Sequence, residues 1–333
     1  MIFQNIVGVD LGTDTLKLRD RSGEKFMESR NMIALRGQTV LAVGNDAYEM
    51  YEKNPQDVRV SRPMIHGVIA SATDMETVLS DALHRFTTFS QKNAGICIAI
   101  PSQVTQVERR AFYHCLSSTL SPRRVHLVDK GLADAVAAGL KISEPGGHMI
   151  VNIGAETTEI SVISEGSVII GRTLKTGGRD LDEDICTMVR RKFNISIGMR
   201  SAERLKNNLA FMINGPRLEQ QVFGIHTLSG LPRTDMIPAL AVSVAVLSSV
   251  DRIVEEVKAV VERIPPILRK DVLQEGIYLT GGVSLLQNLP EYMRREVGLP
   301  VCHMRDPKNS TIRGLAGIVN DKELHALMRT PKM

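Results

Sequence analysis

Short apolar runs alternate with longer segments in which apolar positions recur every three or four residues. Runs at 6–10, 95–100, 149–153 and 276–280 predict buried strands, the second stopped by Pro101. Between them, Met75, Val78, Leu79, Ala82, Leu83 and Phe86 share one helical face, with Thr73 and Glu76 spaced as a capping box. Thr105 and Glu108 repeat that spacing ahead of Val107, Ala111 and Phe112. Leu181, Ile185, Met188, Val189 and Phe193 form a third stripe. A longer one runs from Val250 to Ile264 and closes at Pro265-Pro266, because proline cannot donate into a helix. Strands and helices in alternation predict the α/β class.

Length and charge narrow this picture. A chain of 333 residues predicts about two domains. The net charge of +4 is too small to imply a polyanion partner. Arginine doublets at 109–110, 123–124 and 294–295 are scattered, no aromatic residue interleaves them and there is no Trp, so nucleic acid is not an expected partner. Cys97, Cys115, Cys186 and Cys302 form no C-x-x-C pair, which argues against structural zinc and for reduced thiols. No basic and apolar leader is visible, and the most apolar stretch, 236–250, is too short and polar to span a bilayer. The expectation is a soluble, cytoplasmic chain.

An internal repeat carries the chemistry. Val9-Asp10-Leu11-Gly12-Thr13-Asp14-Thr15 resembles Val151-Asn152-Ile153-Gly154-Ala155-Glu156-Thr157. In each, an apolar strand ends in a polar residue, then a glycine, an acid and a threonine. A third turn, Thr280-Gly281-Gly282-Val283-Ser284, precedes the helical pattern Leu285, Leu286, Leu289. Such turns expose successive backbone N–H groups that bind phosphate oxygens. Thr13 and Thr15 would add hydroxyl donors, and Asp10 would hold hydrated magnesium. The alternative is that they are tight hairpins. Two copies half a chain apart predict two similar lobes facing each other.

These residues bring the chain close to a known family. It resembles MreB, the bacterial actin homologue, within the wider group of actins, sugar kinases and heat-shock chaperones. Carriers of the resemblance are Gly8-Val9-Asp10-Leu11-Gly12-Thr13, Ala42-Val43-Gly44, Arg62-Pro63-Met64 with Gly67-Val68-Ile69-Ala70, and Pro101-Ser102. Thr157-Thr158-Glu159, Gly177-Gly178 with Leu181-Asp182-Glu183, Gly230-Leu231-Pro232, Pro265-Pro266 and Leu279-Thr280-Gly281-Gly282 continue it over nearly the whole chain. The resemblance implies an actin-like fold of two lobes around a nucleotide cleft. Domain I would comprise 1–141 plus 306–333, with a small subdomain at about 32–64; domain II would comprise 142–305, with a subdomain at about 180–236. ATP with Mg2+ would sit between them, against Gly12, Thr13, Asp14, Thr15, Gly154, Glu156, Thr157, Gly281, Gly282 and Ser284. The segment 198–206 resembles the family's base and ribose contact, which assigns Glu203 and Lys206; the alternative is a solvated helix in which they support each other.

Departures from the family pattern fall on the reaction. Lys130 stands where the family has the glutamate that positions the attacking water, and an ammonium has no acceptor for that water's proton. Asp129 is one position off and shorter, and Thr158 is the remaining catalytic candidate. Asn152 replaces an aspartate, which weakens any hold on magnesium through water, and Glu156 replaces a glycine. Pointing into the cleft, Glu156 would repel nucleotide; pointing outward, it would spare binding. Ala155 matters only where φ is positive. Hydrolysis is therefore expected to be slow or lost.

The implied function is an ATP-binding filament protein of cell shape and cell-wall elongation, stacking head to tail. One alternative is an inactive paralogue that co-assembles with a working MreB, and another an active filament ATPase. Implied partners are the chain itself, a paralogous MreB and membrane proteins of wall elongation. The family's membrane contacts would fall on the loop 87–94, which has a single aromatic, and on Ile2 and Phe3. Five residues before a strand cannot form a useful amphipathic helix, so Ile2 and Phe3 are expected to pack on the domain edge; direct membrane attachment is not expected, and peripheral association through a partner stays open.

Overall fold

Two five-stranded mixed sheets of the same design organise the chain, seen in a computed structural model that describes residues 6–53, 55–86, 95–120 and 125–330. The loop 87–94, Ile2, Phe3 and the doublet at 123–124 lie outside the described residues. In the first sheet, Ile6–Leu11, Thr15–Asp20 and Phe26–Arg30 form an antiparallel meander, and Gly95–Ile100 and Val125–Asp129 add parallel strands beyond Ile6–Leu11. The second repeats this design. His148–Ile153, Thr158–Ser164 and Ser167–Leu174 form the meander, and Ile277–Thr280 and Val301–His303 add the parallel strands. The sequence repeat is thus a repeat of topology.

Every residue of Ile6–Leu11 is buried, as an apolar strand flanked on both sides by neighbours should be. Smaller three-stranded sheets follow each meander. One pairs Ile33–Arg36 with Thr39–Val43 and Arg59–Ser61; the other pairs Ile195–Ser196, Glu219–His226 and Pro232–Pro238.

The helical stripes are core except at Val107, which is exposed in the first turn of its helix while Phe112 is buried, and two helix starts are shifted. Ser71, not Thr73, meets the first turn of Ala72–Phe86: its carbonyl accepts from Met75 N–H, and its Oγ from Asp74 N–H at 3.4 Å. Glu76 instead accepts from Ser118 Oγ on the neighbouring helix. The Thr105–Glu108 box forms as expected, with Glu108 N–H to Thr105 Oγ1 at 3.2 Å and Thr105 N–H to Glu108 Oε2 at 2.7 Å. After the third glycine turn, Gly282–Leu285 is a short 3-10 turn, and the helix begins only at Leu289. Left-handed Asn288 and Pro290 in the first helical turn set that start.

The lobes meet on two helices. Lys130–Ala137 and Ser310–Asn320 cross so closely that a Cβ on Gly314 would stand 1.7 Å from the Ala133 carbonyl oxygen. Leu132, Ala133 and Ala135 join Ile150 and Ile163 of the second sheet and Ile312, Leu315 and Ile318 in one apolar cluster. Arg329 exchanges both backbone hydrogen bonds with Leu127, so the end of the described chain returns to the first sheet. Among the described residues, no helix is long and apolar enough to cross a membrane.

Candidate functional site

The turns at 12–15 and 154–157 are twins in geometry. Gly12 N–H donates to Thr15 O at 2.9 Å, and Gly154 N–H donates to Thr157 O at 2.8 Å. A Cβ would stand 2.8 Å from Thr15 O at Gly12 and 3.2 Å from Thr157 O at Gly154. Both turns close hairpins, and both also line a single cleft of about 770 Å³. That volume lies within the range of small-molecule sites. Gly281 and Gly282 line it from the third side. The φ of +89° at Gly281, with Ile153 O only 2.3 Å from a would-be Cβ, requires glycine. Ala155 is not among the positive-φ residues, so alanine costs nothing there.

Asp10, Thr13, Asp14 and Thr15 line the cleft beside Gly12, and Asn152, Glu156 and Thr157 beside Gly154. Lys130, Glu203 and Lys206 line it too. Three expected residues do not. Asp129 turns away to an ion pair with Arg109 at 3.2 Å. Thr158 is fully buried and donates to Thr176 O at 2.8 Å, and Ser284 donates to Gly281 O at 2.7 Å. Their hydroxyl protons are spent on backbone carbonyls.

The floor carries opposed charges. Lys130 begins the helix Lys130–Ala137, and its Nζ lies 3.7 Å from Glu159 Oε1. Burial works to lower the Lys130 pKa, but the Glu159, Asp10 and Asp134 carboxylates outweigh it and hold the ammonium above its usual value. Burial pushes Glu159 upward against the pull of Lys130. Lys17 donates to Lys308 O, and burial lowers its pKa. Asn152 Nδ2 donates to Asp134 Oδ2 at 2.6 Å, while Asp134 Oδ1 accepts from Ser310 Oγ and Thr311 Oγ1, both at 2.7 Å. Asn152 is thereby a clip between the lobes.

Glu156 faces across the cleft mouth. Its carboxylate accepts from His66 N–H at 2.8 Å and from Arg62 at 3.4 Å, and Arg179 stands at 4.0 Å. Burial raises its pKa, with the His66 N–H pulling the other way. At the opposite end, Glu203 meets Arg30 at 3.4 Å and Tyr48 Oη at 3.1 Å. Arg30 in turn pairs with Asp14 and lies 4.1 Å over the Tyr48 ring. Lys206 binds Asp182 and Gly178 O, both at 2.8 Å. Burial pushes the Asp182 carboxyl up to about 6, partly offset by Lys206.

Sequence reasoning missed Lys17, Asp134 and Glu159 as parts of this floor. Lys17 stands between buried Leu16 and Leu18, and Asp134 between buried Ala133 and Ala135, which is a signal in residue order; Glu159 follows Thr158 and carries none. The donor set suits a nucleoside polyphosphate, since the glycine turns bring backbone N–H groups and the Thr13, Thr15 and Thr157 hydroxyls to one cleft.

A family model described as MreB/Mbl protein matches residues 4–326. The cell shape-determining protein MreB of Escherichia coli (strain K12) is 32% identical over 322 residues, covering 94% of this chain and 92% of that protein. The cell shape-determining protein Mbl of Bacillus subtilis (strain 168) is 31% identical over 326 residues, covering 96% and 97%. Among solved structures, MreB5 of Spiroplasma citri bound to AMPPNP superposes with TM-score 0.88 at 28% identity, covering 93% of this chain and 94% of that one. MreB5 bound to ADP gives 0.88 at 29%. A chain of the MamK double helical filament gives 0.79 at 18%, a likeness that speaks for the fold alone.

Proposed function

The chain belongs to the MreB/Mbl family and has its actin-like, two-lobed α/β fold, and on that premise we propose that it binds ATP and builds head-to-tail filaments in cell shape determination. The observation that carries this reading is the pair of twin hairpin turns opening on one cleft. The likeness to MreB5 structures bound to AMPPNP and ADP supports it. The lobes are assigned as 1–141 with 306–333, and 142–305, in keeping with the strands of each sheet. A heterologous contact whose rotation does not close would extend such subunits into a filament. The proposed setting is the cytoplasm at the inner membrane face, with wall-elongation membrane proteins as partners.

Hydrolysis is proposed to be slow or absent. An in-line water needs an acceptor, and the side chain where the family has its water-positioning glutamate is Lys130, a donor paired with Glu159. Losing a general base costs about 10²–10⁴ in rate. The same pair favours a second reading, a silent paralogue that co-assembles with a working MreB.

The test combines a fluorescent ATP-analogue titration, phosphate release, and sedimentation with and without nucleotide. Saturable binding, background phosphate release and nucleotide-dependent pelleting are expected. Absence of binding at any concentration sinks the reading. Robust turnover that Asp10→Ala abolishes sinks the claim of slow hydrolysis. Pelleting only in the presence of a working MreB selects the paralogue.

A further inference from the structure

The cleft floor does not suit a resident divalent ion. Magnesium is held by carboxylate and phosphate oxygens. Here Asn152 is neutral, and its amide is committed to Asp134 at 2.6 Å. Both oxygens of Asp134 are taken by Asn152, Ser310 and Thr311. The remaining acids, Asp10 and Glu159, are matched in charge by two lysines, Lys17 and Lys130, that line the same floor. Among the described residues, no group of three His, Cys, Asp or Glu side chains is placed to hold a metal. A divalent ion drawn to Asp10 or Glu159 would therefore meet the positive charge of Lys17 and Lys130, on which both acids already act.

Lys130 is itself a cation on the cleft wall. Its side chain is 17% exposed and shares that wall with Thr13 and Gly154 of the twin turns. Lysine binds phosphate as a compact point charge, without the directional demands of a metal. We propose that the Lys130 ammonium is the built-in counter-cation of this cleft, so that a nucleoside polyphosphate binds without a divalent metal. The inference rests on the nucleotide reading above and specifies its electrostatics. Glu159 holds the ammonium in place, and the Asn152–Asp134 clip closes the position from which a carboxylate would recruit the ion.

Two measurements test it on the full chain. The first is titration of fluorescent ADP and ATP analogues in excess magnesium and in EDTA. Wild-type affinity is expected to differ by less than about threefold between buffers. Lys130→Gln is expected to lose at least about tenfold in EDTA, and Lys130→Arg, which keeps the charge, to retain metal-independent binding. The second uses no nucleotide: Mn2+ titration followed by electron paramagnetic resonance. Wild type is expected to bind no Mn2+ at the floor, whereas Lys130→Gln unmasks Asp10 and Glu159 and gains a site. A wild-type loss of about tenfold or more in EDTA overturns the proposal, as does equal EDTA binding by wild type and Lys130→Gln. Wild-type Mn2+ binding that Asp10→Asn abolishes overturns it as well. Failure of nucleotide to bind in either buffer strikes the nucleotide reading, and the Mn2+ result still decides the role of Lys130 as the resident cation. Thermal melts of each variant separate misfolding from lost charge.

Discussion

Asn152→Asp exchanges a donor for an acceptor where the lobes are clipped together. In the wild type the amide donates to Asp134 Oδ2 at 2.6 Å, and two hydroxyls at 2.7 Å satisfy the other oxygen. The variant sets two carboxylates about 3 Å apart, worth about 5 kcal/mol of repulsion at an effective dielectric near 20. Lys130 returns part of this, leaving an expected loss of about 3 kcal/mol at pH 8. At lower pH the pair shares one proton and the repulsion disappears. The shared proton gives the folded pair a raised pKa, so the variant's stability is present below that pKa and lost as pH rises through it. Urea unfolding of both proteins at pH 5 and pH 8 reads the effect. A variant as stable as wild type at pH 8, or an equal deficit at both pH values, refutes the geometry of the clip.

Gly314→Ala would place a methyl group 1.7 Å from the Ala133 carbonyl, a backbone atom that cannot swing aside. A loss of about 3 kcal/mol or more is expected, and an unchanged melting temperature would contradict the helix crossing. Asp182, buried and raised from 3.8 to about 6, takes up a proton in the folded state at a pH where the unfolded chain has released it. Its share of stability therefore falls as pH rises from about 4 to 6, by about 3 kcal/mol at the limit. Asp182→Asn should lack that slope, and equal differences in unfolding free energy between pH 4 and pH 6.5 would refute the shift. Burial pushes the Cys97 and Cys115 thiols up to about 12, whereas Cys302 is exposed. Maleimide labelling at pH 7, located by mass spectrometry, should reach Cys302 first and those two only after denaturation. Native labelling of Cys97 would show that the first sheet opens.

The fold class, the buried strands, the helical stripes and the duplicated turn were all legible in residue order. Period-two and period-3.6 patterns are local properties, and so is the strand–glycine–acid–threonine signature around Gly12 and Gly154. The shifted helix starts at Ser71 and Leu289 were not, because several neighbouring residues can cap a helix and the packing selects among them. Resemblance to a family pointed to Lys130 and Glu156, but their partners lie elsewhere in the chain.

Sequence alone determined the class, the repeat and the side chains of the twin turns, since each depends on residues within one element. Only the tertiary structure decided what those side chains do. Glu156, on the cleft lining, is held by Arg62 and the His66 N–H, Asn152 grips Asp134, and Lys130 meets Glu159. Each of these pairs joins segments far apart in the chain. Charge and hydrogen-bond energies depend on distances of a few ångströms, and those distances exist only once both sheets and the two crossing helices have packed.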